Sequence, residues 1–474
     1  MRTLLRMPTP VSGSAPSGSF DAAAWQERLT ELMRRHRVPG ATLGVLHDGT
    51  MTETAAGVLS TATGVAVTPD SLFQIGSITK VWTATLVLQL VDEGRLDLDE
   101  PVAEVLPGFR VADANVTRAV TTRHLLTHTS GIDGDVFTDT GRGDGCVERY
   151  VAGLGEIGQN HPLGATWSYC NAGFVVLGRI VEHVTGLTWD GALRERLAAP
   201  LGLEHTVTLP EDALLHRTAV GHVGEPDEDP IPTTTWTLTR AMGPAGLITA
   251  SVEDVLAFAR MHLEGGVATD GTRVLSTAGC DAMAAKEAEL PDTHTLGDSW
   301  GLGWIRFGWD GERLIGHDGN TIGQSAFLRL LPSRRLAVVL LTNGGNTTDL
   351  FQDLYREIFR SVAGVEMPRP LEPPVVSPDV DPERYVGRYE RAAMTTEVFV
   401  DDRGLTLRAT ATGPLAELMP EPVHELPLVA VEPELFVVRL PGETTWTPVT
   451  FYELENASRY VHYGARANPL VEPG

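Results

Sequence analysis

Apolar positions change their period several times along the chain. Residues 21–37 (DAAAWQERLTELMRRHR) repeat at helical spacing and stop at Pro39-Gly40, which predicts an amphipathic helix. The following ATLGVLHDGTMTETAAGVLS predicts a β-hairpin that turns at Asp48-Gly49. After Gly76, apolar residues cover nearly every helical face over 77–93, including Val81, Trp82, Leu86, Val87, Leu88, Leu90 and Val91. That pattern predicts a buried central helix ending at Gly94. Further helices are predicted at 172–185 and 251–264. Between 302 and 343 the period falls to two. FLRLLP, SRR and LAVVLLTN predict a hairpin whose second strand is a continuous apolar run, as in a sheet covered on both faces. A helix over 348–363 follows.

Strands thus stand at both ends of residues 21–366, with helices between. The fold class predicted is α/β: an antiparallel sheet flanked by helices, with an inserted helical lobe. Residues 367–383 hold six prolines (Pro368, Pro370, Pro373, Pro374, Pro378, Pro382) and predict a stiff linker. Residues 384–474 carry short strand patterns (RYVGRY, TEVFVDD, LTLRAT, LFVVRL, TPVTFYEL, RYVHYG) and predict a small all-β barrel or meander. Residues 1–20, rich in Ser, Pro and Gly, predict a loose arm. A length of 474 residues suits two domains.

Charge narrows the function. The formal net charge of −25 opposes binding to nucleic acid or to an anionic membrane. No apolar run reaches 18 residues, so no transmembrane helix is predicted. Leu4 and Leu5 run straight into Arg6 and Pro8, which does not make a signal peptide, and a cytoplasmic location is expected. Three cysteines (Cys146, Cys170, Cys280) fit free thiols. The 37 basic residues comprise 35 Arg and only two Lys, Lys80 and Lys286, so a Lys marks a position where Arg does not serve.

Three segments carry candidate chemistry. In Gly76-Ser77-Ile78-Thr79-Lys80 the hydroxyl and amine share a helix face one turn apart. An amine in apolar surroundings loses its proton readily and can act as a base, which an Arg cannot. The plain alternative is a capping Ser beside a surface Lys. In Trp167-Ser168-Tyr169-Cys170-Asn171 the phenol and amide project to one side. Beside an ammonium the phenol can ionise to a phenolate and shuttle protons. The alternative is a core Tyr169 and an Asn171 that caps the next helix. In Ile315-Gly316-His317-Asp318-Gly319-Asn320, His317 can sit on a strand edge where Gly319 admits a ligand backbone; the alternative is a turn. His124 and His128 stand four apart but lack the acidic partner of a zinc helix, so no metal site is assigned. Trp304 is a candidate substrate-contacting aromatic, weighed against simple packing.

In this order, Ser-x-x-Lys, Tyr-x-Asn and a Lys-or-His-x-Gly triplet resemble the penicillin-binding-protein and serine β-lactamase superfamily. The resemblance is to its class C-like branch, which includes esterases, D-aminopeptidases and penicillin-binding-protein-type thioesterases. LVDEGRLDLDEPVAEVLPGF, HLLTHTSGI and GPAGLITASVEDVLAFARMHL look like that branch, and the likeness spans roughly residues 22–365. His317 departs from the Lys that many members carry.

The resemblance implies an acylated Ser77, proton transfer by Lys80 and Tyr169, substrate positioning by Asn171, and assistance from His317. It implies an oxyanion hole from the amides of Ser77 and Asn320, beside Gly319, and no cofactor. It gives Cys170 no role beyond packing. The thioesterases of this branch carry a C-terminal lipocalin-like domain and close nonribosomal peptides into rings, and residues 384–474 look similar. Hydrolysis of an ester or amide, D-aminopeptidase or β-lactamase action, and cyclisation of a peptidyl thioester all begin at acyl-Ser77. A small-molecule or peptidyl substrate is expected, free or carried on another protein, and the oligomeric state is not read. A non-catalytic module that binds a peptide or acyl ligand is the alternative of another class.

Overall fold

The computed structural model describes residues 20–225, 227–413, 416, 422–440 and 443–473. The expected arm therefore lies outside the described residues except for Phe20, whose ring stacks on Trp25 at 5.5 Å.

Helix α1 (Ala22–Arg35) starts where the Asp21 carboxylate accepts from the amides of Ala23 and Ala24. Strands β1 (Gly40–His47) and β2 (Thr50–Gly57) form the expected hairpin. Helix α2 (Thr79–Asp92) buries Thr79 through Leu90 without a break, as its all-round apolar pattern requires. A short 3-10 turn, Gly76–Ile78, leads into it, so Ser77 sits one turn ahead of the helix proper. Helix α3 (Asn171–Thr185) follows in the lobe, and helix α4 (Val252–Leu263) packs against β1 of the main sheet.

Strands β3 (Ala288–Glu289), β4 (Ser299–Trp300), β5 (Ile305–Trp309), β6 (Glu312–Asn320), β7 (Ser325–Leu331) and β8 (Leu336–Thr342) complete the main sheet. Among the described residues its order is β2-β1-β8-β7-β6-β5-β4-β3, antiparallel throughout. The first and last strands of the domain, β1 and β8, thus lie side by side within the sheet. The period-two pattern separates two cores. Ala337, Val339 and Leu341 face α2, α3 and α4, while Leu336, Val338 and Leu340 face α1 and α5 (Thr347–Ile358). On the first face Trp82 stacks on Phe258 with centroids 4.1 Å apart. On the second, Arg28 of α1 forks onto Glu357 of α5, with a 2.8 Å bond from its Nε.

The C-terminal strands are β9 (Gly387–Arg391), β10 (Met394–Asp401), β11 (Gly404–Ala411), β12 (Val423–Pro427), β13 (Val429–Ala430), β14 (Leu435–Val438), β15 (Thr447–Glu453), β16 (Arg459–Tyr463) and β17 (Arg466–Pro473). They form one sheet in the order β12-β11-β10-β9-β17-β16-β15-β14-β13. The two outermost strands are separated in sequence only by Leu428, so the sheet curls into a nearly closed barrel. Tyr385, Tyr389, Phe436 and Phe451 fill its interior. The expected fold class, a helix-flanked antiparallel sheet with a separate all-β barrel, describes this chain.

Candidate active site

The carbonyl end of β6 runs beside the turn that carries Ser77. Strand β5 pairs with β6 only as far as Gly316, so residues 317–320 have one free edge. The turn packs there because both contact residues are glycines. A Cβ on Gly319 would lie 1.9 Å from the Ile75 carbonyl oxygen and 2.9 Å from the Ser77 nitrogen. A Cβ on Gly76, whose φ is +52°, would lie 2.6 Å from the Asn320 nitrogen. The Asp-Gly-Asn segment is therefore strand rather than turn.

Lys80 is fully buried, and its Nζ lies 2.9 Å from Ser77 Oγ and 2.6 Å from the Ala245 carbonyl. Burial holds the amine well below its ordinary proton affinity, and the Arg466 guanidinium pushes the same way. The Tyr169 ring lies 4.9 Å from Nζ, with its phenol in hydrogen-bonding reach of the Ser77 hydroxyl. Burial raises the phenol above its ordinary value. This reverses one expectation. The apolar pocket disfavours charge on the amine and on the phenol alike, so burial favours a free amine beside a neutral phenol over an ammonium–phenolate pair.

Asn171 opens α3, but the cap is Cys170, whose Sγ accepts from the Gly173 amide at 3.2 Å. Cys170 therefore does more than pack, and the Asn171 side chain is left to donate to Asp135 Oδ1 at 3.1 Å. His128 Nδ1 accepts from the Cys170 amide, and its ring stacks on Tyr169 at 4.3 Å. His317 is buried, with Nδ1 2.6 Å from the Asp318 carbonyl. Burial lowers its pKa to about 3, and Lys80 adds to the effect. A neutral ring that donates from Nδ1 keeps a lone pair on Nε2, so His317 offers an acceptor where a Lys would offer a cation.

The cation comes from the barrel. In the turn between β16 and β17, the Ala465 carbonyl accepts from the Tyr169 amide at 3.0 Å. The guanidinium of Arg466 lies 4.9 Å from the Tyr169 ring centroid and binds Asp135 through Nε at 3.0 Å and Nη2 at 2.9 Å. A cleft of about 640 Å³ opens over these groups. Ser77, Tyr169, Asn171, His317 and Asn320 line it together with Gly464, Ala465 and Arg466. Phe137, Val223, Leu238, Met242, Leu296 and Ile322 give it an apolar wall.

The structure thus brings Ser77, Lys80, Tyr169, Asn171, His317, Gly319 and Asn320 together. Trp304 is elsewhere: it is fully buried, edge-on to His262 at 5.2 Å, and does not line the cleft. Its indole packs the core beside α2, which corrects its assignment to substrate. Sequence reasoning missed Asp135 and Arg466. The available signals were the acidic pair of Asp133-Gly134-Asp135 behind HLLTHTSGI and a Gly-Ala turn before Arg466. Among the described residues no group of three or more His, Cys, Asp or Glu side chains is arranged to hold a metal, and no helix is long and apolar enough to cross a membrane.

Comparison with known proteins gives the family. Residues 25–363 match the Beta-lactamase family, and the chain belongs to it. The fold and the relatives define a serine hydrolase. The chain is 51% identical over 374 residues to "Penicillin-binding protein 4" of Amycolatopsis lactamdurans, which covers 78% of this chain and 98% of that protein. The crystal structure of SurE superposes with a TM-score of 0.77 at 29% identity, covering 95% of this chain and 99% of SurE; a second SurE structure, with D-Leu, gives 0.75. A class C β-lactamase from Rhodobacter sphaeroides gives 0.58 at 25% identity, covering 71% of this chain and 99% of the other.

Proposed function

We propose that the protein forms an acyl-enzyme at Ser77 with a peptidyl or aminoacyl ester, thioester or amide whose acyl residue is apolar and D-configured. The observation that carries this reading is the fully buried Lys80 amine, its proton affinity lowered by that burial, 2.9 Å from the Ser77 hydroxyl beside a cleft with an apolar wall. Lys80 takes the Ser77 proton as Oγ attacks the carbonyl carbon. The amides of Ser77 and Asn320 receive the oxyanion. Tyr169 donates its proton to the departing oxygen, sulfur or nitrogen, and the Lys80 ammonium returns one to the phenol, which leaves acyl-Ser77 and a free amine. Water or a substrate amine then attacks along the reverse path. Support for the D configuration comes from the SurE structure with D-Leu.

Cyclisation of a peptidyl thioester is the second reading. It is favoured by the barrel turn 464–466, which forms one side of the cleft and gives a second chain end a surface to meet. A four-substrate panel tests both readings: a chromogenic ester, a cephalosporin, a D-leucyl amide beside its L enantiomer, and a linear peptidyl thioester mimic with a D-residue at the acyl end. The expected outcome is turnover of ester, D-amide and thioester, with the D-amide at least about tenfold ahead of the L-amide. Equal use of the enantiomers contradicts the stereochemical claim. An exclusively linear acid from the thioester removes cyclisation for that substrate. Labelling of Ser77→Ala by a fluorophosphonate probe, as strong as that of the wild type, removes Ser77 from the mechanism.

A further inference from the structure

We propose that Asp135 is a positioning residue of this active site: its one carboxylate orients the Asn171 amide and holds the barrel's Arg466 against Tyr169. The claim rests on the acyl-enzyme reading and goes beyond it, because it makes the C-terminal barrel part of the catalytic apparatus.

Asp135 is buried between the domains. Its Oδ1 accepts from Asn171 at 3.1 Å and from Arg466 Nη2 at 2.9 Å. Its Oδ2 accepts from Arg466 Nε at 3.0 Å and from Arg391 Nη1 at 2.6 Å. Four charge-assisted bonds on one buried carboxylate leave it little freedom to move. Arg466 has one further bond, from Nη1 to the Gly464 carbonyl of its own turn. Asp135 is therefore its anchor on the catalytic domain.

The backbone around Asp135 is equally constrained. A Cβ on Gly134 would lie 2.4 Å from Cys170 Cα and 2.8 Å from the Asn171 nitrogen. The Gly134 carbonyl accepts from the Ala172 amide at 3.1 Å. Segment 133–135 thus rests directly on the start of α3, which follows Tyr169. Beside it, Asp133 Oδ2 accepts from the Ala392 amide of the barrel at 2.5 Å. One short loop aligns the Tyr169–Asn171 segment and both barrel turns.

This placement sets the field at Lys80. The groups facing the amine are Tyr169 and Cys170 before α3, His128 and Asp135 from the loops, His317 from β6 and Arg466 from the barrel. Arg466 lowers the proton affinity of the amine, and Asp135 raises it. The two residues form a pair with opposed effects, so each variant has its own signature.

The test follows acylation of the full chain by a chromogenic ester from pH 5 to 9 in wild type, Asp135→Asn, Arg466→Gln and the double variant. In Asp135→Asn one amide oxygen cannot serve the four donor groups of three side chains. Asn171 loses its anchor, and the plateau rate falls about tenfold or more. The uncompensated Arg466 moves the acid limb to lower pH. Arg466→Gln moves it to higher pH, and the double variant returns it toward wild type. An unmoved limb in both single variants, or shifts in one direction, overturns the proposal. Where Asp135→Asn does not fold, Arg466→Gln and the charge-balanced double variant carry the same comparison. If the fluorophosphonate probe does not label wild-type Ser77, the acyl-enzyme reading fails separately. The crystal structure of Asp135→Asn then decides the positioning claim: a displaced Asn171 amide supports it, and an unmoved one overturns it.

Discussion

Lys80 shows why one residue type cannot stand in for another here. A base must exist uncharged, and burial gives that state to an amine while a guanidinium keeps its proton. Lys80→Arg is expected to lower single-turnover acylation by roughly two orders of magnitude or more, measured with a chromogenic ester. Near-normal acylation would remove Lys80 as the base. Because the amine's pKa is depressed, kcat/KM is expected to rise with pH through a limb lying well below the ordinary lysine range. Ser77, Lys80, Tyr169, Asn171 and His317 were legible in the sequence, because each belongs to a motif closed within a few residues. Asp135 and Arg466 were not, since they meet across 331 positions and no local pattern marks the pairing. Trp304 failed for another reason. A tryptophan that follows a glycine in a strand pattern reads alike whether its ring meets solvent or core.

At the scale of elements, the site depends on backbones that touch. Gly319 permits β6 to lie against the Ser77 turn, and no side chain at that position can yield, since the clash is with the Ile75 carbonyl. Gly319→Ala is expected to pry the two apart and cut kcat by about a hundredfold, with a smaller change in KM, because the Ser77 and Asn320 amides no longer converge. Unchanged kcat in a folded Gly319→Ala protein would show that these amides do not share an oxyanion. The helices and the central hairpins were readable from period alone: an all-round apolar α2 has to be buried, and a continuous apolar β8 has to be central. The start of α2 was less so. Its 3-10 entry reflects the docking of Gly76 on β6, a tertiary contact that propensity does not encode.

At the scale of the molecule, among the described residues six histidines are buried where charge is disfavoured. Burial lowers His161 and His462 to about 4 and His262 and His317 to about 3, holds His128 well below its usual value, and lowers His222 as well. Folded-state values below the unfolded one mean that this stability is present above about pH 6.5 and is lost as pH falls toward the folded-state values. The unfolded chain binds these protons first, so each ring contributes a slope approaching ~1.4 kcal/mol per pH unit between those limits. The Tm is expected to fall steeply from pH 6.5 to 4.5, before most carboxylates titrate, as followed by calorimetry. A flat Tm over that interval would contradict the neutral state of these rings. The division into a sheet domain and a barrel was legible from strand spacing and prolines. Their contact was not, because interface complementarity is written in residues that look ordinary in both partners.

The pairing of β1 with β8 lets the first domain close its sheet as soon as residue 342 has left the ribosome. The arginine that completes its cleft is made more than a hundred residues later (466 − 342 = 124). During translation the paired strands of the sheet domain are therefore all made before the turn that carries Arg466 to the cleft.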